Sequence, residues 1–317
     1  MHSIIAKNVN EALPLGLMYL REGGEEITVR GMRTIEMPTP VCTVYQKPWQ
    51  RVLFEPLRDA NPYFHFMEAM WILAGKNDVH FPCLFNSKLA QYSDDGKLFH
   101  GAYGHRLRSC GVDQLKEAVN KLLGDPSTRQ AVLQIWDYKK DLNKQSNDIP
   151  CNDLIMVKKR NDAINITVCC RSNDVIWGAY GANAVQFSYI QEYLAGMTDS
   201  KIGVYRQVSD SFHAYIDNPQ WQKLQGIAPN DVYDHEYYPM IKYSQLFDAE
   251  LEAFVSGNWK LVWHNPFFPE VAIPIWESWF DHKDTKTGWK HAQNIKDTAW
   301  QKACTEWLAR RNDYAYN

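Results

Sequence analysis

The sequence has no uninterrupted apolar run approaching the ~20 residues a helix needs to cross a bilayer, so no membrane partner is expected. Its first residues, "MHSIIAKNVNEALPLG", lack the basic start and continuous apolar stretch of a secretion signal. Strong charge of either sign is also missing. Lys and Arg number 34 against 37 Asp and Glu, which excludes the broad basic field of a nucleic-acid binder. An anionic ligand would then be small and gripped by a few placed arginines. Cysteine is scarce and scattered, with seven residues, an odd number, and no C-x-x-C pair. Neither a disulfide framework nor a metal site is expected, and free thiols suit a reducing, cytoplasmic setting.

Internal repeats, low-complexity tracts and Gly/Ser linkers are absent as well, so the 317 residues read as one domain, 1–317, diverging in character from about residue 260. Residues 26 to 46, rich in Val, Ile, Thr and Tyr, predict strands. "NPYFHFMEAMWILAG" predicts a helix capped by Asn61, opened by Pro62 and ended by Gly75. A second amphipathic helix is expected over 112 to 124, a strand in "RQAVLQIWD", and two strands joined by a polar turn after Cys151. A helix over 183 to 196, closed by Gly196, and another over 295 to 311 complete an α+β chain, a mixed β-sheet with packed helices.

Within "SNDIPCNDLIMV", Cys151 is either one more small core residue or a thiol held out of a turn for attack. If the following strands pair, Arg171 returns to its neighbourhood as a cation able to lower the thiol pKa, and Arg171–Ser172 suits a phosphate. Glu68 falls on the same helix face as Phe64, Met67 and Trp71. A carboxyl there snorkels to the edge or keeps its proton and serves acid–base chemistry. Asn183 caps a helix or reads a heterocycle edge; His213 and Tyr215 are half-buried strand residues or hold a sugar hydroxyl.

Each signal is weak alone, but their order is specific. "EAMWILAGKND", "GAYGHRLR", "DPSTRQAVLQIWD", "PCND", "RSNDVIWGAYGAN" and "FHAY" together resemble the thymidylate synthase family, pyrimidine nucleotide hydroxymethylases included, over roughly residues 25 to 220. The resemblance implies that Cys151 adds to C6 of a pyrimidine nucleoside monophosphate. Glu68 and Tyr103 would then manage protons, with 5,10-methylenetetrahydrofolate as the one-carbon donor. It assigns Arg30, Arg171 and Ser172 to the 5′-phosphate, with Arg129 reaching across from the second subunit of a homodimer. Asn183 would read the base, His213 and Tyr215 the sugar, and Asp174 and Trp71 would face the folate.

Four departures bear on the reaction. Asn152 stands where these synthases usually carry His, and Cys170 where they carry Gln. An extra residue in "GAYGAN" places either Ala182 or Asn183 near the base, and chemistry favours Asn183. The tail lacks the short apolar C-terminus that closes over the folate. Methyl formation needs a closed, dry site, so a different closure favours water as acceptor and a hydroxymethyl product. For the base, Asn183 points to uracil, whereas the "YGAN" form and Lys139 resemble the cytidylate branch. Cytidylate (dCMP or CMP) is therefore slightly favoured, with dUMP hydroxymethylation or thymidylate synthesis as alternatives. A non-catalytic nucleotide binder would have lost the nucleophile, the acid–base Glu or the phosphate arginines, and all are present.

Overall fold

The computed structural model describes residues 2–230 and 232–314. Among them, eight strands form one mixed sheet: β1 (His2–Ala6), β2 (Glu25–Val29), β3 (Met32–Glu36), β4 (Val41–Tyr45), β5 (Ala131–Gln134), β6 (Asn152–Arg160), β7 (Ala163–Asp174) and β8 (Lys201–Tyr215). Their order is β1-β4-β8-β7-β6-β5, with β2 joined to β3 and β3 to the C-terminal end of β8. The long strands β7 and β8 run parallel, so their C-terminal ends meet, Ser172 beside Ser211 and Asp174 beside His213. β6 and β7 form the expected hairpin, turning through Asn161 and Asp162, two residues with φ of 52° and 57° that short polar side chains tolerate. That register sets Arg171 against Cys151, whose carbonyl accepts the Arg171 N–H at 2.9 Å.

The α-helices longer than ten residues are α1 (Val9–Gly23), α2 (Pro62–Leu73), α3 (Gln114–Gly124), α4 (Asn183–Met197), α5 (Ser244–Val255), α6 (Ile273–Asp284) and α7 (Thr298–Ala309). Asn61 Oδ1 caps α2 by accepting from Phe64 N at 3.2 Å, and Gly75 leaves it with φ of 71°, as the sequence predicts. α2 and α4 are buried nearly all round because both are central. α4 supplies the crossover between β7 and β8 and packs on both strands and on α2.

Three expectations need correction. β5 is only Ala131–Gln134, shorter than "RQAVLQIWD". α4 runs on to Met197, so Gly196 does not end it; a Cβ there would lie 2.9 Å from Ile241 Cβ, and close approach explains the glycine. The last helix begins at Thr298, where Asp297 Oδ1 caps it.

The residues beyond 260 share the main core. Tyr63 of α2 meets the rings of Trp279 and Trp307 at 5.4 Å each. Trp300 meets Phe66 at 5.2 Å and donates its indole N–H to the Tyr189 hydroxyl at 2.9 Å. On the opposite side, register aligns Ile5, Val44, Arg206, Thr167, Met156 and Val132 in one row across the sheet. Ile5, Met156 and Val132 in that row stand 63%, 43% and 55% exposed, leaving an apolar sheet face open.

Candidate active site

Cys151 is half-buried on the turn entering β6. Arg171 Nη2 lies 3.9 Å from its Sγ, and the same guanidinium donates to Pro150 O at 2.8 Å and Ile149 O at 3.0 Å. Arg171 therefore holds the turn as well as facing the thiol. Burial pushes the thiol pKa up; Arg171 pulls it down, Asp148 and Asp153 push it up, and Arg30 pulls it down. The net direction is upward, so the resting thiol keeps its proton. The expected cation is in place and pulls the pKa down, but the cost of burying a thiolate outweighs it.

Glu68 projects from α2 towards α4, where Gln186 Nε2 donates to its Oε2 at 2.6 Å. Burial raises this carboxyl from 4.5 to about 7, against the opposing pull of Gln186. A carboxyl so poised both gives and takes a proton near neutral pH. Tyr103 opens a short helix, Tyr103–Arg108, that touches α2 because residue 104 is glycine: a Cβ there would lie 2.2 Å from Ile72 O. Burial holds the Tyr103 phenol well above its ordinary value, and the neighbouring Cys151 and Cys170 add to this. It stays a neutral hydrogen-bonding group.

At the C-terminal ends of β7 and β8, His213 is buried, with Nδ1 3.0 Å from Ser211 Oγ, and Tyr215 packs edge-on against it. Arg30 occupies the β2–β3 turn with φ of 51°, exposed, and its charge reaches both Cys151 and Tyr215. Ser172 lies on β7 directly after Arg171, its carbonyl accepting from Cys170 Sγ. Arg129 is exposed just before β5, and Lys139 is exposed on a short helical turn. Trp71 is buried with its indole N–H taken by Asp78 at 3.0 Å, which leaves only ring surface for a ligand.

Asp174 closes β7. Its Oδ1 accepts from Ile176 N at 2.8 Å and Trp177 N at 2.7 Å, capping a π-helical turn, Val175–Ala182, that kinks at Tyr180 and Gly181 before α4. Its Oδ2 is buried without a partner. Burial raises this carboxyl, while the two N–H groups, His213 and Arg58 pull it down. Asn183 is the first residue of α4, with helical φ of −63° and ψ of −38°, so it caps nothing, and its side chain is free for other bonds. It accepts from Asn152 at 3.2 Å and donates to Asn173 at 3.0 Å.

Sequence reasoning missed four residues here. Gln186 stands one turn beyond Asn183, and that spacing was a usable signal. Asn173 was in view within "RSND" but had no stated role, and Ser209 gave no signal. Arg58 is buried, donates to Ile176 O at 2.7 Å and stacks 4.1 Å from the Trp177 ring, which is itself 47% exposed. Burial lowers Arg58 to about 10.

Comparison with known proteins places the chain in a family. Residues 58–254 match the family model described as "Thymidylate synthase". The chain is 38% identical to a deoxyuridylate hydroxymethyltransferase of Pseudomonas phage M6, the alignment covering 98% of this chain and 95% of that protein. It is 39% identical to the protein of the same name from Bacillus phage SP01, over 62% of this chain and 54% of that one. In fold it resembles the crystal structure of thymidylate synthase from T4 phage, with a TM-score of 0.62 and 19% identity over 80% of this chain and 96% of that one. Among the described residues, no helix is long and apolar enough to cross a membrane. With the family match, the relatives and the fold in agreement, the chain belongs to the thymidylate synthase family and is a one-carbon transferase.

Proposed function

We propose that this enzyme hydroxymethylates C5 of deoxyuridylate, with methylenetetrahydrofolate as donor and water as final acceptor. The observation that carries the reading is the 38% identity, over nearly the whole of both chains, to a relative named for that activity. The slight preference for cytidylate yields to it, since a second relative carries the same name and Lys139 is exposed on a surface turn.

In this mechanism Arg30, Arg171 and Ser172 hold the phosphate, His213 and Tyr215 meet the sugar, and Asn183 meets the base edge. Because Arg171 already holds the nucleophile turn, phosphate binding to it brings the substrate onto that turn. As sulfur adds to C6 the Cys151 proton passes to solvent and C5 becomes nucleophilic; after one-carbon transfer C5 gives up its own proton, and the C6–S bond finally breaks to free the thiol. Methylenetetrahydrofolate, when bound, would supply the one-carbon unit at C5 and would leave as tetrahydrofolate, with water completing the hydroxymethyl group. The unpartnered Asp174 Oδ2 suits a ligand that brings N–H groups, and the Arg58–Trp177 stack suits a flat ring, so these residues fit a reduced folate. Trp71 would add ring surface. Glu68, held by Gln186, takes a proton from the attacking water, and Tyr103 donates a hydrogen bond beside the nucleophile. A homodimer in which Arg129 reaches the partner's phosphate site is supported by the open row Ile5, Met156 and Val132, which a second copy would cover.

The test is mass spectrometry of products after incubation with methylenetetrahydrofolate and, separately, dUMP, dCMP, UMP and CMP. A hydroxymethyl increment on dUMP without dihydrofolate is expected. A methyl increment with dihydrofolate, or turnover of a cytidine nucleotide instead, would overturn the reading.

A further inference from the structure

Four buried polar side chains next to the nucleophile form one continuous hydrogen-bonded chain. Asn152 Nδ2 donates to Asn183 Oδ1 at 3.2 Å, Asn183 Nδ2 to Asn173 Oδ1 at 3.0 Å, and Asn173 Nδ2 to Ser209 Oγ at 2.9 Å. All four are almost fully buried, so bulk water does not compete for these bonds. Gly178 makes the room they need, since a Cβ there would lie 2.8 Å from Asn173 Oδ1.

The chain has a direction. A primary amide offers two acceptor sites and two N–H groups. Asn183 uses one of each on its neighbours and keeps one of each for a ligand. Turning its amide alone would set N–H against N–H at Asn152 and oxygen against oxygen at Asn173. All three amides therefore turn together or none does. Ser209 tolerates both directions, because a hydroxyl donates as readily as it accepts. Control falls to the other end, where Asn152 is fully buried and its side chain also hydrogen-bonds to Tyr103.

Direction matters to a pyrimidine. Uracil presents N3–H beside the O4 acceptor; cytosine presents the N3 acceptor beside an amino donor. In one binding pose, one amide direction suits one base only. We infer that Asn152 is a specificity-determining residue: by donating its N–H to Asn183 it fixes the direction of the chain, and with it the base that Asn183 accepts. This rests on the reading above that Asn183 meets the base edge.

The two ends make opposite predictions. In Asn152→Asp the carboxylate has no N–H to give, so Asn183 must turn its Nδ2 towards it, Asn173 follows, and Ser209 donates. In Asn173→Asp the carboxylate still accepts from Asn183 Nδ2 and holds the present direction. The full-length proteins are compared by their dissociation constants for dUMP and dCMP. Asn173→Asp should keep the wild-type base preference. Asn152→Asp should shift the affinity ratio towards the other base by on the order of 10- to 100-fold, the effect of one or two mismatched buried hydrogen bonds. Asn152→Ser, a milder change whose hydroxyl serves either direction, should move the ratio towards parity. An unchanged ratio in both Asn152 variants overturns the inference. If Asn183→Asp still shifts the ratio in that case, the base reading survives without the relay; if it does not, the base reading fails as well.

Discussion

Replacing Glu68 with Gln separates the stability cost of the acid–base group from its chemistry. The folded protein holds this carboxyl at about 7, against an ordinary 4.5. Between those values the folded state keeps a proton that the unfolded chain has released. Wild-type stability therefore falls as pH rises through that window and stays lower above it. At about 1.4 kcal/mol per pH unit, ionising Glu68 in place costs up to about 3 kcal/mol. Gln has the same shape, and its carbonyl still accepts the Gln186 N–H seen at 2.6 Å. Glu68→Gln should then be more stable than wild type by up to about 3 kcal/mol near pH 8 and nearly equal to it at about pH 4. Turnover should fall by roughly a hundredfold or more. Thermal unfolding at both pH values and one fixed protein concentration gives the comparison. An equal gain at both pH values, or no gain at the higher one, would refute the claim that burial raises Glu68.

Arg171→Ala removes the cation 3.9 Å from the Cys151 sulfur and two donors from the Ile149–Pro150 carbonyls. Iodoacetamide should alkylate Cys151 at least several-fold more slowly at about pH 8, because the thiol pKa rises further; an unchanged rate would show that Arg171 does not act on the thiol. Trp300→Ala should cost about 3–5 kcal/mol in urea unfolding, since the ring is buried between Phe66 and Tyr189 and its N–H is bonded. A loss below about 1 kcal/mol would mean that the C-terminal helices are not part of the main core. Gly104→Ala drives a methyl to 2.2 Å from Ile72 O and should displace Tyr103, lowering turnover more than nucleotide binding; equal losses in both would place its effect elsewhere.

Much of this site was legible because its signals are local. Asn61, Pro62 and Gly75 punctuate α2 by backbone rules that need no partner, and the polar turn at Asn161–Asp162 announced the hairpin that sets Arg171 against Cys151. Long-range facts were not legible. The sequence displayed the cation near Cys151 but not the burial that outweighs it. Helical spacing placed Glu68 on an apolar face, yet nothing local showed that Gln186, more than a hundred residues away, would hold it. Asn183 read as a helix cap as well as a base reader until its own backbone proved helical. Arg58 looks like any surface arginine in sequence; only the fold buries it beneath Trp177. The chain looked divergent beyond about residue 260 because the ring partners of Trp300 and Trp307, Tyr63, Phe66 and Tyr189, lie far earlier in the chain.

The most direct test of the account is to run the reaction with dUMP and methylenetetrahydrofolate in water enriched in heavy oxygen, for wild type and Cys151→Ser. The account predicts 5-hydroxymethyl product carrying heavy oxygen from wild type, no dihydrofolate, and no product from Cys151→Ser although it still binds dUMP. Methyl product accompanied by dihydrofolate, or turnover by Cys151→Ser, would contradict it.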